Sequence, residues 1–374
     1  MKLLACTKYG DRAASARQRY LQFAEHLDAA GVNLQVAPLL DNNYLDAIFS
    51  GRPASKLSLA KSYVRRFRGI LREREADGVW LQYEFFPYAP GFTETLAMCR
   101  RIPLVVDYDD AIFHQYDRHK NPIMRAMLSG KLKPLLQRAD LVICGNAYLE
   151  GYAAQYCRRT EIVPTVVNTD VYGPAPEPRA DRPITVGWIG SPSSWTVVKP
   201  LTPLLTELAE RLNLTVRVVG AGPQKDIPPR FEFLQWSEEE EIRLIQGMDI
   251  GIMPLPDEPW ARGKCGYKLI QYMASGLPVV ASPVGVNTDI VEHGSNGFLA
   301  SVPREWAGAV TALAEDAELR RKMGVEGRRK IEQAYSLAVH GPRLAGMLRE
   351  VMEERRSHRT KQQSEGLRRR RCAA

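Results

Sequence analysis

The sequence predicts an α/β protein with two doubly wound, Rossmann-like domains that face a central cleft. Short apolar runs typical of strands alternate with amphipathic segments of helical period along most of the chain. These runs lack the alternation of a half-exposed sheet, as expected for parallel strands that helices cover on both faces. A length of 374 residues exceeds what one core usually organises, so two domains are expected.

The first half of the chain contains five predicted strands. An amphipathic helix from Ala14 to Ala30, ended by Gly31, separates the first two. The predicted strands are Lys2–Cys6, Val32–Pro38, Gly78–Gln82, Pro103–Asp107 and Ala139–Ile143.

A break at Gly173–Pro183 separates the two halves, because its proline content and charge are typical of a linker. The predicted domains are therefore residues 1–172 and 184–332. Alternation restarts after the linker, with a helix over Val198–Leu212 and closing helices from Arg304 to about Glu354. The predicted strands of this half are Ile184–Ile189, Thr215–Val219, Phe231–Leu234, Asp249–Met253 and Val279–Ala281.

Charge, cysteine content and hydropathy bear on whether the protein binds nucleic acid, forms disulfides or spans a membrane. The formal net charge is +8, but Glu353–Arg371 holds eight Lys or Arg against three Asp or Glu, so this tail accounts for +5. Residues 353–374 are predicted to be disordered, and no nucleic-acid partner is expected. Six cysteines without metal-ligand spacing indicate reduced thiols in a cytoplasm. No apolar run approaches the roughly 18 residues of a membrane span, and the N-terminus does not resemble a signal peptide.

The stretch Trp260–Asn287 concentrates cations in an otherwise apolar segment. Lys264 and Lys268 stand four apart, which places them on one face of a predicted helix that ends at Gly276. With Arg262 they could clamp a diphosphate, because point charges and a helix N-terminus attract anions together. The alternative is an ordinary solvated basic face.

A second candidate anion site is the strand-to-helix turn in "VGWIGSP". Gly190 would let backbone N–H groups approach a phosphate, and Ser191 would cap the following helix. The alternative is an ordinary strand-to-helix turn. The chain has neither a G-x-G-x-x-G fingerprint nor a P-loop, which disfavours a Rossmann dehydrogenase or a P-loop NTPase.

The run Asp249–Ala300 closely resembles the donor-binding half of GT-B glycosyltransferases of retaining family 4, also called glycosyltransferase group 1. The stretches "VGWIGSP", "ADLVICGNAYL", "IVPTVVNTDVY" and "VVDYDDAIF" resemble landmarks of one bacterial subgroup. The resemblance implies a nucleotide-sugar donor bound by residues 184–332 and a hydroxyl acceptor bound by residues 1–172. It also implies retention of anomeric configuration, no metal or other cofactor, and a helix over residues 333–352 that crosses back to the first domain.

The chain departs from the family at two donor contacts. The family carries two glutamates eight positions apart, the first on the donor sugar and the second on the ribose, and these fall on Gly263 and Gln271. Gln271 can still accept a hydrogen bond from a ribose hydroxyl, and a Gln271→Glu change is expected to hold or improve donor affinity. Gly263 has no side chain, so another group must hold the donor sugar.

Three carboxylates are the candidate catalytic residues of the first domain. Asp109 or Asp110 is expected to orient the acceptor hydroxyl and accept its proton, and Glu84 would share the cleft. One alternative is a metal site, because Asp107 and Asp109 spell D-x-D. Another is that these carboxylates cap a following helix.

The sequence therefore predicts a glycosyltransferase that moves a sugar from a nucleotide-diphosphate donor to a glycan or lipid-linked hydroxyl. The alternatives are a sugar-nucleotide epimerase of the same fold and a non-catalytic sugar or polyanion binder. A basic helical stretch, Lys56–Glu75, and the basic tail are candidate contacts with an anionic membrane at the inner face of the cell. The alternative for both is a solvated surface.

Overall fold

The computed structural model describes residues 1–49, 55–72, 75–98, 102–175 and 182–372, and for residues 45, 46, 48, 49 and 358–372 it describes the backbone only. The chain divides into two compact units, one of Met1–Pro164 with the residues from His340 onward, the other of Thr165–Val339. Within the described ranges each unit contains one six-stranded parallel sheet. The prediction of two doubly wound α/β units is confirmed.

The first sheet has the strand order β2-β1-β3-β4-β5-β6, with every neighbouring pair parallel. Its central strands β3, β4 and β5 are buried at every position, which explains their continuous apolar sequence. The strands are β1 (Lys2–Cys6), β2 (Asn33–Val36), β3 (Gly78–Gln82), β4 (Leu104–Tyr108), β5 (Leu141–Cys144) and β6 (Thr160–Ile162).

Short helices connect these strands. The helix predicted over Ala14–Ala30 is interrupted at Tyr20, whose backbone leaves the helical region, and Leu21–Phe23 forms a 3₁₀ turn. The helices are α1 (Ala14–Arg19), α2 (Ala24–Ala29), α3 (Asn42–Phe49), α4 (Lys56–Arg72), α5 (Gly91–Ala97), α6 (His114–Asp117), α7 (Pro122–Leu128), α8 (Lys133–Arg138) and α9 (Ala147–Ala153).

The second sheet has the order β12-β11-β10-β7-β8-β9 and is also parallel throughout. Its strands are β7 (Thr185–Ile189), β8 (Thr215–Val219), β9 (Phe231–Leu234), β10 (Ile250–Met253), β11 (Val279–Ala281) and β12 (Gly297–Leu299). The remaining helices are α10 (Pro192–Val198), α11 (Thr202–Arg211), α12 (Glu241–Gln246), α13 (Pro259–Arg262), α14 (Tyr267–Ala274), α15 (Asn287–Ile290), α16 (Pro303–Glu315), α17 (Ala317–Ala334) and α18 (Leu337–Cys372).

The unit boundaries differ from the predicted ones. The second unit begins at Thr165, not after the Gly173–Pro183 segment, because Val167 and Tyr172 are buried in its core. Proline content marks an exposed segment but does not show which core the preceding residues join. The chain rejoins the first unit at His340, inside the predicted 333–352 helix.

The end of the chain is helical where disorder was predicted. Helix α18 continues to Cys372 and so covers all but the end of the predicted 353–374 tail. Arg, Glu, Gln and Lys dominate this segment and are strong helix formers, and it has no proline. Disorder was predicted from high charge and few apolar residues. These properties show that the segment has little apolar surface to bury, but they do not measure its helix propensity.

Candidate functional site

The β7–α10 turn is shaped by packing around one indole. A Cβ on Gly190 would come within 2.5 Å of the Trp188 ring and 2.8 Å of Ser194 Oγ, so only glycine fits. Ser191 caps α10 as predicted, in a capping box with Ser194. The N–H of Gly190 donates to Val219 O (3.0 Å) and that of Ser191 donates to Ser194 Oγ (3.0 Å). These two N–H groups already have acceptors, one on β8 and one within the turn. Phosphate binding by other backbone N–H groups of the Gly190 turn stays a prediction.

A second glycine turn packs against the first. Gly220 follows β8 with a φ of +80°, and a Cβ there would lie 2.2 Å from Gly190 O and 3.2 Å from Trp236 Cβ. Trp236 follows β9, the next strand of the sheet. These contacts bring the loops after β7, β8 and β9 together at the carboxyl edge of the second sheet, where doubly wound folds bind ligands.

The cation-rich helix begins later than predicted. Helix α14 starts at Tyr267 after Gly266, which has a φ of +66°, so Lys264 lies in the preceding loop and not on the helix. A left-handed residue breaks the helical path between the two lysines. Gly276 ends the segment with a φ of +73°, as predicted. No described side chain caps α14, so its first turn presents the positive end of an eight-residue helix.

Lys268 is the most distinctive cation of this site. It is partly buried on the first turn of α14, and its Nζ lies 5.7 Å from the centroid of the Trp188 ring. Burial, and after it the neighbouring Lys264 ammonium, lower the pKa of Lys268 from 10.5 to about 8. No carboxylate in the described part of the chain pairs with it. An anion bound here would therefore offset an existing desolvation cost.

The other two predicted cations differ from Lys268. Lys264 Nζ lies 5.2 Å from the centroid of the Trp260 ring, and its charge acts on Lys268, so both lysines belong to one site. Arg262 is exposed and forms a bidentate pair with Asp257, at 2.7 and 3.0 Å. The structure thus brings the two lysines together, whereas the Arg262 guanidinium already has a carboxylate partner.

Gln271 lies in a buried polar network, in which its amide nitrogen donates two hydrogen bonds. It is 2% exposed, and its Nε2 donates to Glu241 Oε1 (2.9 Å) and to Tyr172 Oη (3.1 Å). Tyr172 Oη also donates to Glu241 Oε1, and Trp236 Nε1 donates to Glu241 Oε2 at 2.6 Å. The predicted ribose contact is therefore tied to a carboxylate that sequence reasoning missed. Glu241 is the last of four consecutive glutamates, and no spacing signal distinguishes it from the others.

In the first unit, the structure separates the roles of Asp109 and Asp110. Asp109 follows β4 and accepts a hydrogen bond from Tyr83 Oη, whereas Asp110 Oδ1 accepts from the next backbone N–H, that of Ala111, at 3.0 Å. Tyr83 has a φ of +60°, a strained conformation for a non-glycine residue and one that clusters at functional sites. Burial, and then the Asp109 charge, raise the pKa of Tyr83. Asp109 is the better catalytic candidate. Asp110 does not match the capping alternative, because the N-cap of the following helix α6 is Phe113, and α6 has no side-chain cap.

The first carboxylate of the D-x-D motif is already paired with an arginine. Asp107 is fully buried and forms a bidentate pair with Arg19, at 3.0 and 3.1 Å. Burial raises the pKa of Asp107 to about 6, against the lowering effect of Arg19. No group of three possible metal ligands occurs among the described side chains.

The prediction of a catalytic role for Glu84 is not supported by its contacts. Its carboxylate is buried, accepts hydrogen bonds from Lys131 Nζ and from Tyr116 Oη (2.5 Å), and shares Lys131 with Glu94 (3.5 Å). A buried carboxylate with two direct partners and a shared cation holds the β3 loop in place. The residues next to Glu84 in the sequence are aromatic, and they do not predict that its partner is a lysine 47 residues later in the chain.

The basic stretch Lys56–Glu75 is helical over Lys56–Arg72, and residues 73 and 74 lie outside the described ranges. Ser62, Arg66 and Ile70 face inward. The opposite face exposes a stripe at helical spacing that combines three apolar and two basic side chains: Leu57 (65% exposed), Lys61, Val64 (54%), Arg68 and Leu71 (42%). None of the described helices is long and apolar enough to cross a bilayer.

Comparison with known proteins assigns a family to part of the second unit. Residues 184–316 match the family described as glycosyl transferases group 1. D-inositol 3-phosphate glycosyltransferase from Nocardia farcinica is 30% identical over 146 residues, which are 38% of this chain and 28% of that protein. The alignment thus spans less than a third of this relative. Similarity to the glycosyl transferases group 1 family is thus found over residues 184–316 of the second unit.

Solved structures share the fold over both units. Sucrose-phosphate synthase from Thermosynechococcus elongatus has a TM-score of 0.69 at 18% identity, covering 95% of this chain and 100% of that one. HepE from Anabaena, solved in complex with UDP-glucose, has a TM-score of 0.68 at 16% identity, covering 94% and 100%. The GT-B fold predicted from the sequence is confirmed.

Proposed function

We propose that the protein is a glycosyltransferase that moves a sugar from a nucleotide-diphosphate sugar to a hydroxyl acceptor, with retention of anomeric configuration and without a metal. The observation that carries the proposal is Lys268, a partly buried ammonium with no described carboxylate partner at the uncapped start of α14. The similarity of residues 184–316 to the group 1 family supports a nucleotide-sugar donor. HepE, which shares the fold, has been solved with UDP and with UDP-glucose.

In the proposed mechanism, the second unit stabilises the leaving diphosphate. Negative charge builds on the diphosphate oxygen as the bond to the sugar breaks. Lys268, Lys264 and the positive end of α14 all act on that charge in the same direction. A preorganised, partly desolvated ammonium is worth more than one in water, because the local dielectric is lower. These groups can do this work without a divalent cation.

The first unit would supply the acceptor side. Asp109, held by the strained Tyr83, orients the acceptor hydroxyl as it attacks from the face that the diphosphate leaves. Because attack and departure use the same face, configuration is retained. The departing diphosphate oxygen takes the acceptor proton, so no separate strong base is needed. The acceptor is a glycan or lipid-linked hydroxyl in this proposal.

Product analysis tests the proposal. The full chain is incubated with a panel of nucleotide sugars and candidate acceptors, and both glycan product and nucleoside diphosphate are measured. Diphosphate release that depends on acceptor, with an α-linked product from an α-linked donor, is expected. An epimerised donor without transfer would support the epimerase alternative, and binding without turnover would support the non-catalytic one.

We also propose that the protein binds an anionic membrane at its periphery, from the cytoplasmic side, through α4. Its exposed stripe combines apolar side chains that can enter the headgroup region with cations that pair with lipid phosphates. Co-sedimentation with anionic but not neutral vesicles is expected at low salt. A Val64→Asp/Lys61→Ser variant should lose it, and a variant that sediments equally would remove α4 from the proposal. The basic side chains of the tail beyond residue 357 lie outside those the structure describes.

A further inference from the structure

The network around Glu241 joins a carboxylate to the donor site of the second unit. Its Oε1 accepts from Tyr172 Oη and Gln271 Nε2, and its Oε2 accepts from Trp236 Nε1. All three donors are neutral, and no described Lys or Arg pairs with this carboxylate. Glu241 itself is only partly buried. A carboxylate at the first position of α12 is thus held in place by neutral side chains, without a described Lys or Arg beside it.

The position of this network in the fold associates it with the diphosphate site. Trp236 packs against Gly220, Gly220 packs against Gly190, and Gly190 packs against Trp188, over whose ring Lys268 lies. Gln271 is three residues beyond Lys268 on α14, about one turn of the helix further. The carboxylate therefore lies along the same edge of the sheet as the lysines, beside a residue about one helical turn beyond Lys268.

We infer that Glu241 is the residue that accepts a ribose hydroxyl of the donor nucleotide, and that Gln271 positions it. The inference rests on the proposed function and replaces the expectation that Gln271 contacts the ribose itself. A carboxylate has about four acceptor positions, of which three are occupied here, so one on Oε2 remains for a hydroxyl. The orienting amide, phenol and indole fix the direction of that position.

The inference reverses the expected effect of Gln271→Glu. A carboxylate at position 271 would place an oxygen where Nε2 now lies, 2.9 Å from Glu241 Oε1. Two carboxylates at that separation cannot both be ionised without a cation, so one must take a proton or move away. The single substitution is expected to weaken ribose recognition, whereas the exchange Glu241→Gln/Gln271→Glu keeps one carboxylate and one amide in contact.

The experiment uses isothermal titration calorimetry on the full chain. The nucleoside diphosphate that binds most tightly in a panel beginning with UDP is compared with its 2′,3′-dideoxy analogue, and the affinity ratio is recorded for each variant. Because the ratio is internal to one protein sample, partial unfolding does not change it. The wild type should favour the ribose form by roughly tenfold or more, since a hydrogen bond to a charged group contributes about that much.

Glu241→Gln and Gln271→Glu should each reduce the preference to about twofold or less. The double exchange should stay at the level of Glu241→Gln, because position 241 still presents a neutral amide to the hydroxyl. The matched control Glu240→Gln, which alters the adjacent and partly exposed glutamate, should keep the wild-type ratio. If Glu241→Gln keeps the full preference, Glu241 is structural only and the inference is wrong. If no nucleoside diphosphate binds the wild type, the proposed function fails and the inference fails with it.

Discussion

Lys268 provides a direct test of the donor site, because its charge can be removed by pH alone. Its pKa is about 8 in the folded protein, against 10.5 for an ordinary lysine, with burial as the larger cause and Lys264 as the smaller. A bound diphosphate pairs with the ammonium and raises its pKa again. Binding is therefore coupled to proton uptake above pH 8, and affinity for a nucleoside diphosphate should fall as the pH rises.

The size of the effect follows from the pKa difference. If pairing restores a pKa of 10.5, affinity should be nearly constant below pH 7.5 and then fall by up to tenfold per pH unit. The largest total loss of affinity is set by the difference between the two pKa values, about 8 and 10.5. At 1.36 kcal/mol per pKa unit it is about 3 kcal/mol, or roughly 300-fold. The phosphate groups do not contribute, since their second ionisation has a pKa of about 6 and is complete in this range.

The same lysine makes the stability of the protein change with pH in the opposite direction to the ligand affinity. In the unfolded chain Lys268 keeps its ordinary pKa of 10.5, so between about pH 8 and 10.5 the unfolded state binds more protons than the folded one. The contribution of Lys268 to the free energy of unfolding should therefore rise with pH across that window. Below about pH 8 the lysine is charged in both states, and its full desolvation cost is present.

Calorimetric titration of a nucleoside diphosphate at pH 7.5, 8.5 and 9.5 measures the first effect. Lys268→Arg is the matched control, because a guanidinium stays charged throughout and should give a flat profile. Lys264→Ala should move the fall in affinity to higher pH, since it removes the second cause of the lowered pKa. A flat wild-type profile, or an equal slope in Lys268→Arg, would refute the assignment of Lys268 to the diphosphate.

Three further predictions concern the metal, the acceptor side and the buried ion network. Excess EDTA should leave sugar transfer unchanged; activity lost to EDTA and restored by Mg²⁺ or Mn²⁺ would instead support the D-x-D metal site. Asp109→Asn should lower transfer by about 10² at unchanged donor affinity, because a misplaced acceptor hydroxyl costs about that much, and Asp110→Asn should lower it less; equal losses measured by product formation would contradict their separation. Lys131→Met should lower the free energy of unfolding in urea by about 3–5 kcal/mol, because it leaves Glu84 and Glu94 buried without a cation. The exposed Lys133→Met is its control, and an equal, small change in both would show that the network adds little.

The order of strands and helices could be predicted from the sequence because it depends on local sequence patterns. Strands that helices cover on both faces are largely apolar, so Gly78–Gln82 and Val279–Ala281 were predicted at their observed bounds. The edge strand Thr160–Ile162 was missed, since it is short and not fully buried. Gly276 was recognisable as a helix end because a left-handed residue there nearly requires glycine.

The partners of polar side chains were decided by the tertiary structure alone. Spacing placed Lys264 and Lys268 near each other, but it could not show that Asp257 neutralises Arg262 or that the Gly190 N–H donates to Val219. Burial and hydrogen bonding depend on residues brought together from distant parts of the chain, such as Lys131 for Glu84 and Glu241 for Gln271. A sequence pattern reports which face of one element is polar. Whether a charge on that face is already satisfied, or remains for a ligand, depends on what packs against it.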